Sequence, residues 1–211
     1  MKTRSYYKML VLCACIGAGA GCGSSDEANP TIRMGVVLPM TGTYGELGKA
    51  QLLGINLAVE HFMADTGLTV EVPAPFDDET DPVTATNKAR EGAEKLIDED
   101  DVVALIGNYT TLAVTAVAEV AEARSVPYIT AGSISLSLAE RGFTHFFRLT
   151  TPEGYVKGQV EFVEEVLTDV TRVAVIYDEA PDNMDWGTTM LAQLEALGSR
   201  WIRVKESRNS S

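Results

Sequence analysis

Residues 102–135, VVALIGNYTTLAVTAVAEVAEARSVPYITAGSIS, hold two continuous apolar runs separated by a helix-length segment. The runs at 102–106 and 126–130 do not alternate polar with apolar residues, so each predicts a strand covered on both faces. Joined by a helix at 112–124, they form a parallel βαβ unit. Each strand opens into small or hydroxyl-bearing residues: Asn108, Tyr109, Thr110 and Thr111 after the first, Ala131, Gly132, Ser133, Ile134 and Ser135 after the second. In an open parallel sheet, ligands lie beyond the carboxyl ends of the strands, where unpaired N–H groups at helix N-termini favour an anion. Thr110, Thr111 and Ser133 therefore stand where a carboxylate could be held. Capping of the following helix by Thr110 or Thr111 accounts for those two residues equally well.

Strand and helix alternate along the rest of the chain, which predicts an α/β fold. Residues 32–38 read as an apolar strand, 47–64 as a helix closed by Gly67, and 70–76 as an edge or irregular strand broken by Pro73 and Pro75. The acidic turn at 77–81 has the oxygen ligands of a Ca²⁺ or Mg²⁺ site. Helix capping by Asp81, with Pro82 at the first helical position, is the stronger reading. Ala85, Ala89, Ala93, Leu96 and Ile97 then form one apolar stripe. A helical turn at 137–142, a strand at 145–149, a linker at 150–154 and a helix at 155–167 follow. A strand at 172–177, a loop at 178–185, a helix at 186–197 and a weak strand at 201–205 complete the chain. The predicted division is a first lobe at 31–150 and the start of a second at 151–211.

The first 21 residues are set aside from the fold. Lys2, Arg4 and Lys8 precede an apolar run at 9–21 that is shorter than the roughly 20 residues a bilayer span needs, as in a secretory signal. Gly19, Ala20, Gly21 and Cys22 resemble the bacterial lipoprotein processing site, in which the cysteine becomes the lipid-modified first residue. Cys15 competes for that role but leaves only 9–12 as an apolar core. Residues 22–30 then read as a flexible tether. The three cysteines are Cys13, Cys15 and Cys22, so cleavage before Cys22 leaves the folded part without a disulfide. Removing three basic residues takes the net charge from −13 to −16. Such a chain repels nucleic acid, which excludes that partner class.

No catalytic pattern is present. His61 and His145 lack metal-pair spacing, and no nucleophile elbow, P-loop or dinucleotide fingerprint occurs. No catalytic residue, metal or cofactor is expected. Tyr155, Trp186 and Trp201 read most simply as packing aromatics.

The segments VVLPMTGTYGELGKAQLLGINLAVEHFMADTG, FDDETDPVTATNKAREGAEKLI, ALIGNYTTLAVTAVAEVAEARSVPYITAGS and FFRLTTPEGY, taken in order, resemble the extracellular solute-binding proteins of the branched-chain amino-acid type that feed ABC transporters. The resemblance spans 32 to about 197. It implies three-layer α/β/α lobes with mostly parallel sheets, the type I periplasmic-binding-protein fold, joined by three crossovers and closing on a small solute. Carried over by position, Thr111 matches the hydroxyl that holds the solute carboxylate, and Gly132 and Ser133 match the residues that meet its carboxylate and ammonium groups. Trp186, beside Gly187, falls where an aromatic from the second lobe covers the solute. Ile134 and Leu47 stand where amino-acid binders have a threonine and some have a tyrosine. Thr80 and Thr110 occupy positions where some members pair two cysteines. The acidic partner of the ammonium would lie beyond Ser211.

The resemblance also implies a mature protein nearly twice as long, so a truncated second lobe with exposed apolar faces is expected. Three functional classes follow. The first is a monomeric, membrane-tethered receptor at the periplasm or outer cell surface, delivering an amino acid or other carboxylate to an inner-membrane ABC permease. The others are a ligand-sensing domain of the same fold and an exported enzyme.

Overall fold

The computed structural model describes residues 30–79, 82–167, 170, 172–197 and 202–203. The predicted signal, Cys22, Thr80, Asp81 and Trp201 lie outside them. The elements run β1 (Thr31–Leu38), α1 (Gly45–Thr66), β2 (Thr69–Glu71), β3 (Phe76–Asp77), α2 (Pro82–Asp98), β4 (Ala104–Gly107), α3 (Thr111–Ala123), β5 (Tyr128–Thr130), a 3₁₀ helix (Leu136–Arg141) and β6 (Phe146–Arg148). Then come α4 (Pro152–Glu165), β7 (Ala174–Val175), α5 (Pro181–Ala196) and β8 (Ile202–Arg203). The first six strands share one sheet in the order β2-β1-β4-β5-β6, with β3 also on β1, and every pairing is parallel. β7 and β8 pair in a second parallel sheet.

The apolar runs are covered as two-sided burial requires. Val37, Leu105 and Tyr128 face Ala89, Ala93 and Leu96 of α2 and Val114, Val117 and Val120 of α3. Val36 and Leu38 point the other way, onto Ile55 of α1, with Ile106 beside them. Helices on both faces give three layers, and each fully buried aliphatic side chain contributes about 1.5–3 kcal/mol of transfer free energy. The second lobe has its own small core, Val156 and Val160 of α4 with Val175, Tyr177, Met190, Leu191 and Leu194.

Three boundaries differ from the sequence reading. The strand expected at 70–76 is two short strands that pair with opposite ends of β1, because Pro73 and Pro75 cannot donate to a ladder. The linker expected at 150–154 is largely helix: the Thr151 hydroxyl accepts from Gly154 N at 3.1 Å and caps α4, whose first residue is Pro152. The loop expected at 178–185 ends early as well. Pro181 opens α5, with Asp182 in its first turn, which places Asp182 and Asp185 one helical turn apart.

Because the first sheet is parallel throughout, the carboxyl ends of β1, β4 and β5 fall on one edge. The turns that leave them gather there, and Leu149 N donates to Thr130 O (3.0 Å) as the chain departs for the second lobe.

Candidate functional site

The floor of this edge is a buried polar network. Gly107 takes φ +131, a conformation closed to L side chains, and Asn108 follows at φ 60, which asparagine tolerates better than most residues. The Asn108 side chain is fully buried; its Nδ2 donates to Asp78 Oδ2 at 2.6 Å, and its Oδ1 accepts from the Tyr128 hydroxyl at 2.8 Å. Burial pushes the Asp78 carboxyl up to about 7, the Asn108 hydrogen bond opposes this, and the charge of Asp77 adds to it. Asp77 goes the other way. Burial raises it, but the Thr41 hydroxyl and the N–H groups of Glu79, Met40 and Thr41 outweigh that and hold it below its usual range. Through these bonds Asp77 ties the turn after β1 to the end of β3. The described part of the acidic turn, 77–79, is thus tied into the fold. Among the described residues no group of three or more His, Cys, Asp or Glu is placed to hold a metal.

Above the floor lies a cleft of ≈ 740 Å³ between the lobes. The first lobe supplies Thr43 and Tyr44 after β1, Tyr109, Thr110, Thr111 and Leu112 at the start of α3, and Ala131, Gly132 and Ile134 after β5. The second supplies Tyr155 and Gln159 of α4 and Ala180, Pro181, Asp182, Asn183 and Trp186 at the head of α5, with Thr150 on the crossing between them. Tyr44 and Tyr109 pack with ring centroids 4.9 Å apart and planes tilted by 50°. Burial raises the Tyr109 phenol, helped by neighbouring Tyr155, Tyr44 and Asp182, so it stays a hydrogen-bond donor at neutral pH. Trp186 donates its indole N–H to Gln159 Oε1 at 3.0 Å, which fixes the ring in the second-lobe wall.

The residues singled out from sequence are brought together, in distinct positions. Thr110 is the N-cap of α3, its hydroxyl accepting from Ala113 N at 3.5 Å, and it also borders the cleft. Thr111 and Ser133 place their hydroxyl oxygens 2.8 Å apart. Ser133 is fully buried behind the wall, so its side chain reaches the cleft only through Thr111 and Asp182. Gly132 lies so close to the preceding turn that a Cβ there would stand 2.4 Å from Asn108 O and 2.6 Å from Tyr109 Cα. Ile134 borders the cleft and Leu47 is outside it.

Sequence reasoning missed two second-lobe carboxylates. Thr111 Oγ1 donates to Asp182 Oδ1, and Ser133 Oγ donates to the same oxygen at 3.1 Å. Asp185 Oδ2 accepts from Ser135 Oγ at 2.9 Å and from Leu136 N at 2.8 Å. The only signal for Asp182 in the sequence is its place behind Pro181, which marks a helix start, and nothing local points to a partner 71 residues away.

A parallel α/β lobe, a second α/β unit with its own core, and an aromatic and hydroxyl-lined cleft where the strand ends meet that unit make a two-lobed architecture with a concave site of the kind small ligands occupy. Residues 31–206 match the family described as periplasmic binding protein, and the chain belongs to that family, with the type I fold. It is 29% identical over 185 residues to an amino acid binding protein of Pseudomonas aeruginosa, an alignment covering 85% of this chain and 48% of that protein. Against the crystal structure of a leucine binding protein from Thermotoga maritima the TM-score is 0.66 at 25% identity, over 85% of this chain and 50% of that one. A solute binding protein of an ABC transporter from Rhodopseudomonas palustris, in complex with 3,4-dihydroxybenzoic acid, superposes with a TM-score of 0.69 at 23% identity, over 84% and 47%. The chain thus spans about half the length of these relatives.

Proposed function

We propose that this chain is the solute-capturing component of an ABC importer, taking an amino acid or other small carboxylate into the cleft between its lobes and presenting it to an inner-membrane permease. The observation that carries the reading is the pair of Thr111 and Ser133 hydroxyls at the N-terminus of α3, which in this structure already hold a carboxylate, that of Asp182. Two convergent hydroxyls beside a helix N-terminus are a suitable carboxylate receptor. Gly132 permits close backbone approach, and Trp186 supplies an apolar wall. The protein acts by binding, as a monomer, with no cofactor.

A thermal-shift screen against amino acids, aromatic acids and amides tests this reading. Saturable stabilisation without turnover is expected, and the absence of any shift, or product formation, overturns it. Replacing Thr111 with alanine is expected to weaken binding of the solute found by about 1–3 kcal/mol in calorimetric titration, through loss of a charge-assisted hydrogen bond. Unchanged affinity would place the site elsewhere.

We also propose export and tethering through Cys22, at the periplasm or outer cell surface. Among the described residues no helix is long and apolar enough to cross a membrane. Multiple acyl chains on Cys22 would supply the anchor that one chain gives only marginally. Cys22→Ser is expected to move the protein from the membrane pellet to the soluble fraction on immunoblots; retention in the pellet refutes the anchor.

A further inference from the structure

We propose that Asp182 is a tethered competitor for the solute, seated in the carboxylate subsite of the cleft, and that its displacement makes the site select zwitterions over simple acids. The proposal rests on the receptor reading above and adds the class of solute. Thr111 and Ser133 each have one hydroxyl proton, and both oxygens lie within hydrogen-bond distance of Asp182 Oδ1 and of each other. With those protons committed to Asp182, whether directly or through one another, none is spare for a second carboxylate. Occupancy by Asp182 and by a solute carboxylate is therefore mutually exclusive. The competitor is intramolecular and held by the first turn of α5, so a solute must displace it before its own carboxylate can be seated there.

Displacement does not remove Asp182 from the site, because the first turn of α5 that carries it lines the same wall. Once displaced, it has no basic partner there, as the described lining contains no Lys, Arg or His. A simple carboxylate would then leave two like charges in a cleft walled by Tyr44, Tyr109, Tyr155 and Trp186, which is costly at low dielectric. An α-ammonium group on the solute gives the displaced Asp182 a partner, and the aromatic faces favour the same cation. Asp182 thus offsets with one contact what it costs with another, but only for a solute carrying both charges.

Calorimetric titration of the full chain with L-leucine and with 4-methylpentanoate, which has the same carbon skeleton without the ammonium, tests this directly. Asp182→Ala is expected to bind 4-methylpentanoate about tenfold tighter than the wild type, while L-leucine affinity stays the same or falls. Asp182→Asn, which keeps the shape and removes the charge, is expected to narrow the preference for L-leucine in the same direction. The Thr111→Ala loss for 4-methylpentanoate is expected to be larger in the Asp182→Ala background, where no internal carboxylate loses the same bond. An unchanged ratio of the two affinities in both Asp182 variants overturns the proposal and leaves the receptor reading standing. Failure of all three proteins to bind either probe overturns both.

Discussion

Raising the pH from 5 to 8 is expected to lower the stability of the first lobe by about 2–3 kcal/mol, out of a full span near 4, because Asp78 must ionise inside the fold. Its carboxyl sits at about 7 in the folded chain against an ordinary 3.8, first because burial removes it from water. Between those two values the folded state holds a proton that the unfolded state has released. The folded state therefore binds more protons over that window, and stability falls as pH rises through it. The favourable balance is fully present below about 4 and fully lost above about 7. The groups with lowered values do not mimic this. Glu122, held at about 2 by the Thr144 hydroxyl and the His145 and Thr144 N–H groups, contributes stability above its ordinary 4.5 that is lost only as acid takes it toward 2. Asp77 likewise acts on the acid side.

Urea denaturation at pH 5, 6, 7 and 8 measures the slope, and Asp78→Asn assigns it. The amide keeps an oxygen to accept from Asn108 Nδ2 and carries no charge, so the variant should lose the slope and exceed the wild type in stability at pH 8. A slope that survives the substitution would show that Asp78 is not its source. The network matters for the cleft because Asn108, three residues before the start of α3, is fixed on both ends of its amide. The turn that presents Thr110 and Thr111 is thereby built on a buried, satisfied base rather than on a free loop.

Much of this organisation was legible in the sequence, for identifiable reasons. The βαβ unit at 102–135 stood out because parallel strands buried on both faces have a composition that alternating strands lack. The placement of Thr110, Thr111 and Ser133 followed from it, since parallel strands put their exit turns on one edge; Gly132 came from the family resemblance. Of the two readings of the threonines, capping of α3 holds for Thr110, while Thr111 turns toward Ser133 and Asp182. What was not legible depended on contacts between distant elements. Tyr155 read as packing, yet it is 56% exposed and borders the cleft, because its helix begins three residues earlier than its aromatic suggests. Asp182 read as part of a loop, since Ala180 has no capping side chain and a proline followed by an acid resembles a turn as much as a helix start. That the buried side of the proposed carboxylate subsite faces a carboxylate of the same chain has no local signature at all.

Gly132→Ala is expected to have the largest effect on binding of any substitution of a single methyl group in the cleft. The added Cβ would stand 2.4 Å from Asn108 O, 2.6 Å from Tyr109 Cα and 2.9 Å from Tyr109 O, all backbone atoms that no rotamer change can move aside. Nor is the turn that carries them free to yield, because Gly107 and Asn108 are pinned to β1 and to the Asp78 network. Either the turn after β5 or the start of α3 must shift, which separates Ser133 from Thr111. Strain of this kind costs about 1–3 kcal/mol in stability. Separation from Ser133 misplaces the Thr111 hydroxyl that would meet a solute carboxylate, an expected loss of about 1–3 kcal/mol of binding, roughly 5- to 150-fold in affinity. Gly158→Ala in α4 is the matched control: nothing lies within 4 Å of its Cβ position, so the same methyl group should leave stability unchanged or raise it by up to about 1 kcal/mol. Denaturation and calorimetric titration of the two variants side by side separate a steric requirement at Gly132 from a general intolerance of substitution. Wild-type affinity in Gly132→Ala would mean that the two turns are looser than their packing implies, and that the carboxylate subsite is not formed between them.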